Sequence, residues 1–288
     1  LGYLWVEPTR AILFTNLERL PQGIRPDLEG QGIALAGYDE VLSAVAGLQE
    51  KFTCLLDREG SNYALCKALE GNENLLVVEG ADPVQLMKSL KNEVEIRNTI
   101  EAHVKDGVAM VRFQMDLEQA LQAGKGLTEL NVVEMVHQRR REQEGFLDES
   151  FSTIAAYGAN AAMMHYAPKG ESAATLKREG FLLLDSGGQY KDGTTDITRT
   201  YALGEPTEEE KDFYTLVLGA HIDMAMAVLM EGSSGSHIDI LARESWWRRG
   251  LDYRCGTGPG RGEIGGVPPG TQARRGATRG PCQAGTVS

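Results

Sequence analysis

Cysteine is scarce in this chain: four residues, at positions 54, 66, 255 and 282, among 288. No two of them form a Cys-x-x-Cys pair, and a chain of this length does not rest on two disulfides. A disulfide scaffold and a thiolate metal site are therefore not expected, and a reducing, cytoplasmic setting is. Long apolar runs are also missing. No stretch approaches the roughly 18 residues that a membrane helix needs, so no membrane partner is expected. Positive charge is in deficit, with 29 lysines and arginines against 41 aspartates and glutamates and a net charge of −12. That balance argues against a broad electrostatic grip on nucleic-acid phosphates. The chain has no GxxxxGK[ST] loop and no GxSxG elbow. Its one GxGxxG, beginning at Gly260, follows no clear strand and opens no helix, so neither a nucleotide site nor a serine hydrolase is supported.

What is present divides unevenly along the chain. Residues 1–82 alternate short apolar runs with helical spacing and read as part of a small mixed α/β domain. Residues 3–6 and 11–14 flank Glu7-Pro8-Thr9-Arg10 and predict a hairpin. Further strands are predicted at 32–36, 52–56 and 75–78, with helices at 38–48 and 63–69 between them. Asp82 before Pro83 is an N-cap and first-turn signal. From there to residue 288 a second, larger domain is expected. Residues 92–123 lack proline and carry apolar residues at helical spacing, which predicts one long helix or two in tandem with Gly107 as a soft point. Thr128 and Thr207 are N-cap candidates for two more helices, the second running to about Met230. A fourth helix is expected from Ser236, with Ile238, Leu241, Trp246 and Trp247 as candidate buried positions. Strands are predicted at 151–156, 181–184 and 197–201. The tail from 254 to 288 contrasts with all of this: ten glycines, four prolines and no periodicity, a loop or disordered segment if read alone.

The segment from Phe181 to Tyr201 carries the most chemistry. A buried strand ends in Asp185, a glycine-rich turn follows, and a second strand is entered at Asp196. A hairpin places these carboxylates side by side, where they repel unless a proton or a cation is shared between them. A divalent metal pair is one solution. Spacing alone fits equally well a surface hairpin whose acids are solvated.

Asp185-Ser-Gly-Gly-Gln-Tyr190 and Asp196-Ile-Thr-Arg-Thr200, eleven positions apart from aspartate to aspartate, resemble the signature of the Xaa-Pro aminopeptidase (aminopeptidase P) family. Other segments extend the resemblance over most of the chain: Lys88 to Arg97, Asp106 to Phe113, Ala156 to Tyr166, and Gly204 to Thr207. The resemblance implies an α+β architecture, with part of a creatinase-type N-terminal α/β domain preceding an incomplete pita-bread domain. It further implies two divalent metal ions, usually manganese, and hydrolysis of the bond between an N-terminal residue and a following proline. Asp185 would ligate one metal and Asp196 would bridge both. His165 would hydrogen-bond the substrate as a catalytic and substrate-binding residue, with Tyr157 in the same segment as a further substrate contact. Peptides with proline at the second position are the implied partners, and relatives form homo-oligomers.

The departures from that family lie in the tail. Gly256-Thr-Gly-Pro259-Gly-Arg-Gly262 stands where the family carries a Gly-Thr-Gly-His-like segment with the metal histidine, and Pro268 replaces a second active-site histidine. Two metal glutamates of the family would lie beyond Ser288. Two of five metal ligands are thus accounted for, weak metal binding at most is expected, and the chain as written is expected to be inactive. The opening Leu1-Gly-Tyr-Leu-Trp and the ending Gly285-Thr-Val-Ser288 read as truncated ends. The other readings are a pita-bread protein that binds peptides or partner proteins without cleaving them, and a gene fragment or misread sequence.

Overall fold

The computed structural model describes residues 2–163, 165–230 and 233–252, together with the backbone of two short pairs at 263–264 and 285–286. The readings placed on Pro259, Pro268 and the rest of the glycine-rich tail fall outside the described residues. The chain divides into two compact units, Leu1–Leu90 and Lys91–Ser288. Among the described residues no helix is long and apolar enough to cross a membrane.

The first unit begins with the expected hairpin, β1 (Gly2–Val6) antiparallel to β2 (Ala11–Thr15). Its turn is held by the Glu7 carboxylate, which accepts from the Trp5 indole and from Arg10. A short helix, α1 (Ile24–Gly30), precedes β3 (Ile33–Gly37), which runs parallel to β2. Sequence periodicity misses α1, because a seven-residue helix with a proline and two glutamate/aspartate positions offers almost no apolar repeat. Then come α2 (Glu40–Ala46), β4 (Phe52–Leu56), α3 (Tyr63–Glu70), β5 (Leu75–Glu79) and α4 (Pro83–Ser89), with β4 and β5 parallel. Val45, Leu56, Cys66 and Leu69 form the small core. The side chain of Asn72 donates to the carbonyls of Val45, Ala46 and Leu48, satisfying the end of α2 inside that core. Cys54 and Cys66 are free thiols.

The second unit opens with α5 (Glu93–Gln122), a single helix of 30 residues. Asn92 and Glu95 close a capping box at its start, and Gly124, at φ +68°, ends it. Gly107 does not divide it. Ala102, Asp106, Ala109, Phe113 and Leu117 bury one continuous face, and that packing outweighs a cost of about 1 kcal/mol for one helical glycine. Helix α6 (Glu129–Arg141) starts at the expected Thr128 cap. Strand β6 (Phe146–Glu149) pairs with β9 (Gly188–Tyr190), and β7 (Ile154–Tyr157) and β10 (Ile197–Ala202) flank β8 (Phe181–Ser186), all antiparallel. Leu182, Leu184, Ala155 and Tyr201 face α5 and α6 in the main core. Helix α7 (Glu208–Met226) begins at Thr207, as expected, and stops four residues before Met230. Helix α8 spans Gly235–Trp247; Ile238 and Trp246 are buried, Trp246 stacking on Phe213, whereas Trp247 is exposed.

Two polar clusters are buried in this unit. In the first, Arg140 and Asp106 are both inaccessible to solvent. The guanidinium donates to Asp106 (2.7 and 3.3 Å), to Glu149 Oε2 (2.9 Å) and to Ser186 Oγ (3.1 Å), and the Tyr190 hydroxyl donates to Asp106 at 2.9 Å. Burial works to lower the Arg140 pKa, but the bonds and charges of Asp106 and Glu149 outweigh it and hold the guanidinium charged. The cluster ties α5, α6, β6, β8 and β9 together. In the second, Glu129, also inaccessible, accepts four hydrogen bonds: from Tyr157 N, Asn160 Nδ2, Tyr166 Oη and Ala174 N, at 2.7 to 2.9 Å.

Removing one partner of a buried ion pair leaves the other uncompensated. Arg140→Met is expected to lower unfolding stability by about 3–5 kcal/mol, read as the urea midpoint. Glu129→Ala strands four donors and is expected to cost at least about 3 kcal/mol in the same measurement. Burial and Glu129 together push the Tyr166 pKa up to about 12. A raised pKa in the folded state means that the associated stability is whole below the ordinary tyrosine pKa of about 10 and is lost as pH rises towards 12. Tyr166→Phe should flatten that part of the alkaline stability profile.

Candidate metal and substrate site

Strands β8 and β10 carry the carboxylate pair. Thr198 lies opposite Asp185 in their register, and its hydroxyl donates to Asp185 Oδ1 at 2.8 Å. Asp196 precedes Thr198 by two positions, so the alternation of an extended chain sets it on the same face. The turn between them is what permits this. At Gly187 a Cβ would sit 2.1 Å from Thr195 O and 2.3 Å from Ser150 Oγ, so only glycine fits. The two sides of the hairpin are knitted there by Gly188 N to Thr195 Oγ1 and Thr195 N to Gly188 O, at 2.8 and 2.9 Å. Asp185 is 6% exposed and Asp196 is exposed. Apart from the Thr198 bond, Asp185 takes no side-chain hydrogen bond among the described residues, which leaves Oδ2 open to a further partner. Oxygen donors of this kind suit a hard divalent cation. Two are not a full site: no group of three or more His, Cys, Asp or Glu side chains that could hold a metal occurs among the described residues.

The strand is fixed from behind. Ser186 points to the opposite face, where it meets Arg140. The carboxylate face of β8 is therefore backed by the buried Arg140–Asp106 cluster, the two faces being served by the adjacent residues Asp185 and Ser186.

His165 and Tyr157 stand differently. His165 is exposed and adopts φ +58°, the only non-glycine residue with positive φ among those described. Such a conformation is uncommon for a side chain with a Cβ and persists where its surroundings impose it. Here Asn160 on one side and Tyr166 on the other are both bound to Glu129, so the buried carboxylate pins the segment that carries His165. No hydrogen bond joins His165 to the aspartate pair among the described residues. Tyr157 lies opposite Leu182 in the β7–β8 register, on the face away from Asp185, and its hydroxyl donates to the carbonyl of Glu179 at 2.9 Å. That places the ring beside the core, not beside the carboxylates.

Sequence reasoning passes over Arg140, Asp106 and Glu129 as site-supporting groups. Arg139-Arg140-Arg141 reads as a basic helix end and Glu129 as a first-turn acid, both ordinary complements to a helix dipole. Which of three adjacent arginines is buried depends on the tertiary packing of α6.

Comparison with known proteins identifies the family. The chain matches the model of metallopeptidase family M24 over residues 97–287 and that of the Creatinase/Prolidase N-terminal domain over residues 1–95. It is 39% identical over 275 residues to a probable Xaa-Pro aminopeptidase P of Arthroderma benhamiae, covering 91% of this chain and 38% of that protein. It is 35% identical over 299 residues to aminopeptidase P2 of Arabidopsis thaliana, covering 94% of this chain and 42% of that one. The chain thus spans well under half the length of these relatives. Among solved structures, an X-prolyl aminopeptidase from Caenorhabditis elegans, described as a cytosolic enzyme with a di-nuclear active site, matches with a TM-score of 0.78 and 34% identity over 87% of this chain and 42% of its own. An Xaa-Pro dipeptidase from Bacillus anthracis shares the fold with a TM-score of 0.66, at 23% identity over 94% of this chain and 74% of its own. The architecture is that of a creatinase-type N-terminal domain followed by part of a pita-bread domain, the incomplete pita-bread domain that the resemblance implied. The chain belongs to metallopeptidase family M24.

Proposed function

We propose that this chain carries the first half of an Xaa-Pro aminopeptidase metal site, with Asp185 and Asp196 as its carboxylate ligands, and that the chain as written does not turn over. The observation that carries this reading is Asp185 on β8 oriented by Thr198 opposite it, with Asp196 two positions before Thr198 at the entry to β10. Divalent metal, manganese by family resemblance, would supply a water of lowered pKa at such a site. The residues of this chain would do the remaining work. Asp185, nearly buried, would hold one cation in a fixed geometry, and exposed Asp196 would reach towards a second. His165, on the segment pinned by Glu129, would hydrogen-bond a peptide with proline at its second position. Tyr157 is a weaker substrate candidate, because its hydroxyl is already committed to a backbone carbonyl.

Inactivity follows from donor chemistry. Proline offers no lone pair to a metal, so Pro259 does not replace an imidazole, and Pro268 removes a second histidine that the resemblance places near the substrate. Two carboxylates retain a partly hydrated ion weakly and leave it without the shaped donor set on which hydrolysis depends. The same two prolines favour, as a second reading, a module that binds peptides or proteins without cleaving them. The likeness to a cytosolic enzyme and the scattered free cysteines support a cytoplasmic location.

Calorimetric titration with manganese should show weak binding to the native chain and none to Asp196→Asn; unchanged binding in the variant would place the ion elsewhere. Hydrolysis of an Xaa-Pro peptide with added manganese should stay at background. Turnover close to that of a relative with all five ligands would overturn the inactive reading.

A further inference from the structure

Asp185 and Asp196 are held in different ways. Asp185 lies inside the ladder of β8, opposite Ile154 of β7 and Thr198 of β10. Asp196 precedes the first residue of β10, so its placement depends on the peptide before it. Thr195, inaccessible to solvent, supplies that peptide. The carbonyl of Thr195 shares a rigid plane with the nitrogen and Cα of Asp196. A group that fixes this oxygen therefore fixes the point from which the Asp196 side chain starts.

Ser150 is such a group. Its hydroxyl donates to Thr195 O at 2.8 Å, and its own N–H donates to Gly187 O at 2.9 Å. One residue thus grips both arms of the hairpin, two positions after Asp185 and one before Asp196. Ser150 directly follows Glu149, which accepts from Arg140 at 2.9 Å, while Ser186, beside Asp185, accepts from the same guanidinium at 3.1 Å. Arg140 therefore reaches both aspartates, one through Ser186 and the other through Glu149, Ser150 and Thr195. We propose that Ser150 is a positioning residue of the metal site, setting Asp196 relative to Asp185 and so the affinity of the pair for a divalent cation. This rests on the reading of both aspartates as metal ligands. Without the hydroxyl, the buried Thr195 carbonyl loses a donor and turns to find another, which swings the peptide plane and Asp196 with it.

Manganese titration of the folded chain, read as loss of the free-ion EPR signal, tests this. Groups that support a metal ligand cost about 10–100-fold in affinity when removed, and Ser150 acts one step further back, so Ser150→Ala should bind about 5- to 10-fold more weakly than the native chain. Ser150→Thr keeps the hydroxyl and should recover the native affinity. If Ser150→Ala does not fold, Ser150→Cys, whose thiol is a weak donor, carries the same expectation. Leu121 is buried in the same core, beside Leu203 beyond the far end of β10. Leu121→Ala should lower stability yet bind within about 2-fold of native, as expected of a distant, independent site. Native affinity in Ser150→Ala, no recovery in Ser150→Thr, or an equal loss in Leu121→Ala would each overturn the proposal while leaving the aspartates as ligands. A native chain that binds no manganese, or undiminished binding by Asp196→Asn, overturns the metal reading and this inference with it.

Discussion

One buried cation organises the larger unit. Arg140, on α6, reaches two carboxylates and a serine hydroxyl on three other elements, and Tyr190 on a fourth completes the shell of Asp106. An arginine fully out of water is tolerable only when nearly every donor is met. That condition is geometric: α5 must present Asp106, β6 must present Glu149 and β8 must present Ser186 at the same point. Apolar packing alone would allow helices to slide or a strand to slip by a residue. The fork of the guanidinium does not, because its donors are fixed in one plane. The register of β8, and with it the face on which Asp185 emerges, is set from the far side of the sheet.

Glu129 performs a similar task for a segment that has little regular structure. Between β7 and β8 the chain makes, among the described residues, only two short 3-10 turns, at Gly158–Ala162 and Gly170–Ser172. Such a stretch has few backbone bonds of its own. Four donors from Tyr157 to Ala174 converge instead on a single carboxylate at the first turn of α6, where the helix N-terminus also favours negative charge. His165 in its left-handed conformation is held between two of those anchors.

Much of this was legible in the residues, and the rest was not for identifiable reasons. The N-caps Asn92, Thr128 and Thr207 and the β1–β2 hairpin follow from local chemistry, which sequence records directly. The aspartate hairpin was legible because glycine spacing and two carboxylates are a local pattern, and the Asp185–Thr198 register agrees with it. Strand β6 was not. Phe146-Leu-Asp-Glu149 has no strand periodicity and is extended only because β9 pairs with it. The roles of Arg140 and Asp106, 34 positions apart, exist only in three dimensions.

The sheet therefore separates two requirements between its two faces. The face towards α5 and α6 holds apolar side chains and the Arg140 cluster, and it determines whether the chain folds. The opposite face holds Asp185 and Thr198, and nothing in the core rests on their chemistry. A substitution at Asp185 or Thr198 therefore removes no contact of the Arg140 cluster. On this arrangement the requirements of folding do not by themselves fix the side chains of the second face. The carboxylate face is thus positioned from behind by an ion cluster whose side chains do not touch Asp185.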